Sequence, residues 1–338
     1  MNAALRRQLE LINAFDRVRV AVAGDLIADE FIYGQIDRVS REAPVLILSY
    51  DSAELIPGGA GNAARNAASL GAAVEVVGVV GRDPVGRGLH TALQASADVS
   101  GVVQASSVTT PVKTRILAGG VHSAKQQVVR IDRAGAGVTP GIARRVERAL
   151  ARALTRVDAL VISDYGSGLV TPEVWQRAVA SARRPVPPLV LVDSRYNLGS
   201  FTHITACTPN ESEVEALLGV RIDDNRRVLE EAGRELLARL NCRAVLITRG
   251  SRGMALFEPG KPTDHIPIVG SDQVTDVTGA GDTVIATFGV ALAAGASFPE
   301  AARLANYAGG IVVMKRGTAV VMRRELQAAV SGTSRRAD

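Results

Sequence analysis

The chain has 338 residues, 47% hydrophobic and 22% charged, an ordinary globular composition with enough apolar mass for a large core in two domains or one α/β domain. Its formal net charge of +5 comes from 39 basic residues, nearly all Arg, spread among 34 acids, and aromatics are only 4%; neither a nucleic-acid groove, which needs clustered cations and stacking rings, nor a membrane-spanning segment is expected. Cys207 and Cys242 lie outside any Cys-x-x-Cys and the four His have no metal spacing, which argues against a zinc site and suits a reducing, cytoplasmic setting.

In chain order, Leu5, Leu9 and Ile12 predict a short amphipathic helix before residue 19. Residues 18–23 form a buried strand ending in Gly24-Asp25, and 31–33 and 45–50 two strands around a charged connection, 37–42. Residues 57–61 read as a turn opening a helix from Asn62 to Leu70, stopped by Gly71. A buried strand follows at 74–80, then exposed strands at 110–117 and 126–131, joined by Gly119-Gly120. From about residue 139 strands and helices alternate: helix 140–155, strand 159–163, helix 172–183, strands 189–193 and 204–208, helices 211–218 and 226–240, strands 244–248 and 254–257, and helices near 280–294 and 298–314. The chain beyond about Arg323 reads as polar and loose. The expected fold is α/β, a mostly parallel sheet flanked by helices, with the strands near 31–50 and 110–131 forming a small sheet inserted into a single domain, 1–330, and a flexible tail, 331–338.

Four short stretches carry candidate chemistry. In Thr278-Gly279-Ala280-Gly281-Asp282, small residues before an apolar helix leave backbone N–H groups bare, and with the helix dipole they make an anion site. Asp282 there suits phosphoryl transfer as the base for an attacking hydroxyl; the alternative is a glycine turn with Asp282 as an ordinary N-cap. Gly58-Gly59-Ala60-Gly61-Asn62 allows close backbone approach to a ligand with Asn62 on its hydroxyls, or is a helix-start turn. Asp25 and Asp29 at a strand end suit sugar hydroxyls, or cap local amides. Asn210 and Glu213, three apart at a helix start, face one way and suit Mg²⁺ and its waters, or form a capping box. No complete G-x-x-x-x-G-K-[ST], G-x-G-x-x-G or G-x-S-x-G occurs.

These four stretches, in this order, resemble the PfkB/ribokinase-like carbohydrate kinases over residues 18–321, with both family signatures present: 58–62 running on to Gly71, and 276–282, where Val277 replaces the usual Thr. The resemblance implies a small β-sheet lid over the sugar and ATP as phosphoryl donor. It places Asp25, Gly59 and Asn62 on the sugar, Gly279, Ala280 and Gly281 in the anion hole, Asn210 and Glu213 with Mg²⁺ and phosphate, Thr248, Arg249 and Gly250 at the nucleotide, and Asn306 near the adenine. It also allows K⁺ near Asp276 and Gly317. Within the family, residues 34–44, 114–117, 161–168 and 276–284 are similar to the heptose-7-phosphate kinases of lipopolysaccharide inner-core assembly. That similarity implies transfer to the anomeric oxygen of D-glycero-β-D-manno-heptose 7-phosphate. The 7-phosphate of that sugar needs cations near the lid; Arg38, Lys113, Arg115 and Arg130 are candidates, with Asp132 on hydroxyls or on Arg130. No His-x-Gly-His is present, so the chain reads as a stand-alone kinase, and the exposed lid edges favour a homodimer. Another sugar or nucleoside kinase, or a non-catalytic sugar-binding regulator, is the alternative.

Overall fold

The computed structural model describes residues 3–119, 125–135, 138–182, 186–269 and 275–332. The expected joint at Gly120 and the expected tail from 333 onward lie outside them. The elements in chain order are α1 (Ala3–Asn13), β1 (Arg19–Gly24), β2 (Leu26–Val39), β3 (Leu46–Gly59), α2 (Ala60–Ser69), β4 (Ala73–Gly81), α3 (Pro84–Gln94), β5 (Asp98–Ala105), β6 (Val112–Gly119) and β7 (Gln126–Arg133). There follow α4 (Pro140–Leu154), β8 (Ala159–Asp164), α5 (Pro172–Ala182), β9 (Leu189–Ser194), β10 (Ala206–Cys207), α6 (Glu211–Leu218), α7 (Arg226–Leu240), β11 (Ala244–Thr248), β12 (Met254–Phe257), β13 (Asp264–Ile266), α8 (Ala280–Ala293), α9 (Phe298–Val312) and α10 (Arg323–Val330).

A nine-stranded sheet runs β13-β12-β11-β10-β9-β8-β1-β4-β5, parallel from β11 to β5 and antiparallel at β12 and β13. Its central strands are buried on both faces, so they read as continuous apolar runs. On β8, Ala159 and Val161 pack with Phe288 of α8 and the alanines of α2, while Leu160 and Ile162 pack with Leu150 of α4 and Trp175 of α5. The chain order reverses at β1: β4 and β5 lie on one side, β8 and β9 on the other. Strand ends at such a switch point open a crevice where ligands bind, and Asp25 and Tyr165 directly follow β1 and β8.

The second sheet, β3-β2-β6-β7, is rooted in the core but leaves its outer half in solvent: residues 26–29 are buried, 35–39 exposed, and β7 is exposed throughout. Its strands are longer than expected, reaching 26–39 and 46–59. Residues 57–59 are the end of β3, not a turn, and the helix begins at Ala60, two residues before Asn62. Glycine permits this, because a Cβ on Gly58 would lie 2.3 Å from an Asp29 carboxylate oxygen and Gly59 turns the chain at φ 57°.

The sequence reading passed over three elements and misjudged a fourth. Helix α3 contains Gly86 and Gly88, which dilute its pattern; Asp83 Oδ1 caps it by accepting from Gly86 N at 2.7 Å. Strands β5 and β13 lie at the two edges of the large sheet. The polar stretch after Arg323 is not loose but forms α10, because Leu326 and Val330, four apart, bury one narrow stripe against the core.

Candidate active site

Asp282 is the third residue of α8, and Gly279, not Asp282, holds the N-cap position. The Asp282 carboxylate instead points inward and is 3% exposed. Asn62 Nδ2, from α2, donates to Oδ2 at 2.9 Å, and the Tyr165 hydroxyl donates to Oδ1 at 3.0 Å. Asn62 is held in turn by Asn66, whose Nδ2 donates to Asn62 Oδ1 at 3.1 Å. Burial lifts the Asp282 carboxyl to about 7, against the pull of these two hydrogen bonds; Asp29 pushes in the same direction as burial and Lys113 opposes it. Gly279 has φ 77°, and a Cβ there would sit 2.4 Å from Asn62 Nδ2, so close packing of α2 on α8 requires glycine. Ala280 N donates to Val277 O at 3.2 Å, while the N–H groups of Gly279 and Gly281 find no acceptor among the described residues. Bare amides and a buried carboxylate thus meet at one helix start, where the dipole favours an anion.

Asp25 is 5% exposed, and its carboxylate accepts from Tyr165 N at 2.8 Å and Ser167 N at 3.2 Å on Oδ2, and from Ser167 Oγ on Oδ1. Burial raises its carboxyl. The Asp25 carbonyl takes Ala60 N at 3.1 Å, and a Cβ on Gly59 would lie 2.6 Å from that oxygen. The sequence alternative of local amide capping is not what forms: the amides that Asp25 holds belong to a loop 140 residues away.

Asp29 accepts from Arg115 Nη1 at 2.7 Å and Thr318 Oγ1 at 2.8 Å. In the sheet, Asp29 pairs with Lys113 and Phe31 with Arg115; across β6 and β7, Lys113 pairs with Asp132 and Arg115 with Arg130. Paired residues share a face, so Asp29, Lys113, Arg115, Arg130 and Asp132 form one charged patch. Within it Arg115 is committed to Asp29 and packs on the Phe31 ring, and Arg130 is clasped by Asp132 through two 2.7 Å bonds. Lys113 makes no ion pair among the described residues; its ammonium lies 4.6 Å from the Tyr165 ring centre, and burial lowers its pKa. Arg38 does not join the patch. It lies nine residues beyond Asp29, about 30 Å along an extended strand, exposed and paired with Asp37.

On the other side of the α8 start, Asn210 and Glu213 form the capping box that their spacing allowed, with bonds of 3.0 and 2.9 Å. They line an open cleft of about 560 Å³ with Arg195, Thr248, Arg249 and Gly250. Arg249 is already paired with Glu211 at 2.6 Å. Asp193, at the end of β9, is pushed well up by burial and then by the charges of Glu213, Asp282 and Asp164. Next to the cleft, an apolar cavity of about 190 Å³ is lined by Met254, Ile268, Ala280, Val284 and Asn306. Asn306 Nδ2 donates to Pro267 O at 2.7 Å. Asp276 receives Thr278 N at 2.9 Å and Gly317 N at 3.0 Å, tying two loops together beside α8.

The sequence reading assigned no role to Tyr165, Ser167, Asp193 or Thr318. Residues 161–168 carried a signal, since a polar Asp-Tyr-Gly-Ser-Gly closes a buried strand. Their partners, Asp25 and Asp282, lie more than a hundred residues away, beyond any local pattern.

A family described as "pfkB family carbohydrate kinase" matches residues 26–324. The chain is 39% identical over 311 residues to a "Bifunctional protein HldE" of Geobacter sulfurreducens, covering 91% of this chain and 62% of that protein. It is 39% identical over 324 residues to one of Caulobacter vibrioides, covering 95% and 65%. It thus spans less than two thirds of the length of these relatives. Among solved structures, ribokinase of Arabidopsis thaliana complexed with ribose and ATP superposes with a TM-score of 0.69 at 21% identity, covering 93% of this chain and 98% of that one. Phosphofructokinase-2 of Escherichia coli in complex with fructose-6-phosphate gives 0.74 at 20%, covering 94% and 100%. At that identity these two establish the ribokinase-like fold and no more. The family match over most of the chain, joined to this fold, makes the protein a member of the pfkB family of carbohydrate kinases.

Proposed function

We propose that the protein transfers the γ-phosphoryl group of ATP to the anomeric oxygen of D-glycero-β-D-manno-heptose 7-phosphate, giving the 1,7-bisphosphate used in lipopolysaccharide inner-core assembly. The observation that carries the phosphoryl-transfer part is the buried Asp282 carboxylate, oriented by Asn62 and Tyr165 beside the bare amides of Gly279 and Gly281. The choice of heptose rests on the stretches 34–44 and 161–168 and on the likeness to HldE proteins.

In this reading the triphosphate lies in the cleft by Thr248, Arg249 and Gly250, with the adenine in the apolar cavity by Asn306. The Gly279–Gly281 amides hold the charge that develops on the transferring phosphoryl group. Asp282 accepts the proton of the anomeric hydroxyl, and Asn62 keeps its second oxygen in place. Asp29 and Asp25 border the sugar. Among the described residues Lys113 is the small-sheet cation left to meet the 7-phosphate, since Arg115, Arg130 and Lys125 are engaged by carboxylates. The small sheet, closing over the sugar, excludes water from the transfer.

Mg²⁺ fits the donor set as a hydrated ion. Among the described residues no three carboxylate, His or Cys side chains are grouped to hold it alone, yet Asn210 and Glu213 both line the cleft. These two would hold its waters, and the bound ion would neutralise phosphate charge. K⁺ would bind beside Asp276 and Gly317. We place the enzyme in the cytoplasm, as a homodimer formed through the edges of the small sheet, which exposes Val129 and Ile131. Among the described residues no helix is long and apolar enough to cross a membrane.

The test is an ADP-release assay with heptose 7-phosphate, ribose, fructose and adenosine, with phosphorus NMR to locate the new ester. Faster turnover of an unphosphorylated sugar or nucleoside would replace the heptose reading with another kinase of the family.

A further inference from the structure

Tyr165 stands where four functional groups meet, yet the motifs assign it no role and the reaction scheme uses it only as one of two donors to Asp282. It follows β8 directly. Its backbone N–H holds Asp25, its hydroxyl donates to Asp282 Oδ1 at 3.0 Å, and its ring carries the Lys113 ammonium at 4.6 Å. Its ring edge also bounds Gly59, where an added Cβ would sit 3.4 Å from it. Burial, then the charges of Asp282 and Asp193, push its phenol well above the usual range, so it stays a proton donor wherever the enzyme works.

The donors on Asp282 divide the labour. Asn62 occupies Oδ2 from a helix locked by Asn66, and cannot report on anything that moves. Tyr165 occupies Oδ1, and its ring is covered by a side chain from β6 of the small sheet. Lys113 itself has no ion-pair partner among the described residues, so its position depends on that ring and on whatever anion enters the cleft. A chain of three contacts therefore runs from the small sheet to the base.

We propose that Tyr165 is a positioning residue that aims Asp282 at the acceptor oxygen and, through Lys113 on its ring, couples that aim to the seating of the small sheet on an anionic sugar. The proposal rests on Asp282 being the base. When the sheet closes with a sugar phosphate beneath it, Lys113 is drawn between phosphate and ring. The ring is thereby pinned, and the phenol keeps Asp282 turned toward the sugar. An uncharged sugar leaves Lys113 loose and the base less well aimed.

The charged groups facing Asp282 are Asp29 on β2, Lys113 on β6 and Asp193 on β9; the neutral donors are Asn62 and Tyr165. Removing a donor to the charged form raises the pKa of the base, so the acid limb of the kcat–pH profile should move up in Tyr165→Phe. Replacing Tyr165 alone by 3-fluorotyrosine keeps the shape and makes the phenol a stronger donor, so the limb should move down.

The experiment measures kcat and KM against pH for the full chain and for Y165F, the fluorotyrosine protein, K113M and the Y165F/K113M pair, with D282N as control. We expect Y165F to lose about 10- to 100-fold in kcat, the range for one hydrogen bond to a charged group, with KM for ATP unchanged. K113M should lower kcat less in the Y165F background than in the wild type, because the link it acts through is already cut. A Y165F protein of wild-type kcat, or a limb that moves in neither Y165F nor the fluorotyrosine protein, overturns the proposal. Equal K113M effects in both backgrounds overturn the coupling to the small sheet. Turnover retained by D282N would instead overturn the base assignment, so the two failures are distinguishable. If Y165F does not fold, the fluorotyrosine limb decides alone.

Discussion

The start of α8 and the edge strand of the small sheet handle carboxylates in opposite ways. Asp282 is buried, its hydrogen-bond donors among the described residues are neutral, and its carboxyl rises to about 7. Asp132, on the edge strand β7, is exposed and clasped by Arg130, chiefly through whose hydrogen bonds its carboxyl falls below the usual range. A group that must take up a proton near neutral pH needs the first setting; a group that only holds charge in place is served by the second. Neutral donors orient Asp282 without quenching its basicity, which a salt bridge would do. In the proposed function the chemistry sits between buried core elements, and recognition falls to a sheet half in water.

The comparison breaks most sharply at the base. Asp282→Asn should lower kcat by about 10²- to 10⁴-fold, the usual worth of a general base, while ADP binding by calorimetry is retained. Next comes the buried pair of the small sheet. Arg115→Met leaves Asp29 buried with only Thr318, so thermal or urea unfolding should show a loss of about 3 kcal/mol, and KM for the sugar phosphate should rise more than kcat falls.

Gly279→Ala forces a Cβ against Asn62 and a side chain into positive φ, at a cost of about 1–3 kcal/mol. Because Asn62 must withdraw from Asp282, kcat should fall as well, in contrast to Arg115→Met.

pH sharpens the contrast. The Asp282 carboxyl titrates near 7 when folded and near 3.8 when free, so between those values the folded chain holds a proton that the unfolded chain has lost. Stability from this group therefore falls as pH rises from about 4 to 7. The melting temperature of D282N relative to wild type should accordingly climb over that window and level off above it, while wild-type kcat rises through pH 7. The smallest effect belongs to Arg38→Ala. An exposed pair far out on β2 should change stability by less than about 0.5 kcal/mol and leave kinetics unchanged.

Much of the site was legible because it is local. Gly279, Ala280, Gly281 and Asp282 are contiguous, and small residues before an apolar helix mean bare amides in any context. The Asn210–Glu213 capping box and helices α6 and α7 were equally plain, since spacing and caps are written within a few residues. Two kinds of feature were not. Helix α10 buries only Leu326 and Val330, too narrow a stripe to stand out, and α3 is diluted by two glycines. The Arg130–Asp132 pair spans two residues and was among the readings of the sequence, but the pairing that commits Arg115 to Asp29 depends on strand register across 86 residues.

From the order of residues alone came the parallel sheet, the amide-rich turn and the acid beside it, because apolar periodicity and glycine freedom act over one or two turns of chain. The folded state alone decided which oxygen of that acid faces which donor, how far burial lifts its carboxyl, and which cation of the small sheet has no ion pair among the described residues. Desolvation and ion pairing depend on distance in space, and the groups that set them here come from α2, β2, β6 and the loop after β8, brought together only in the folded chain.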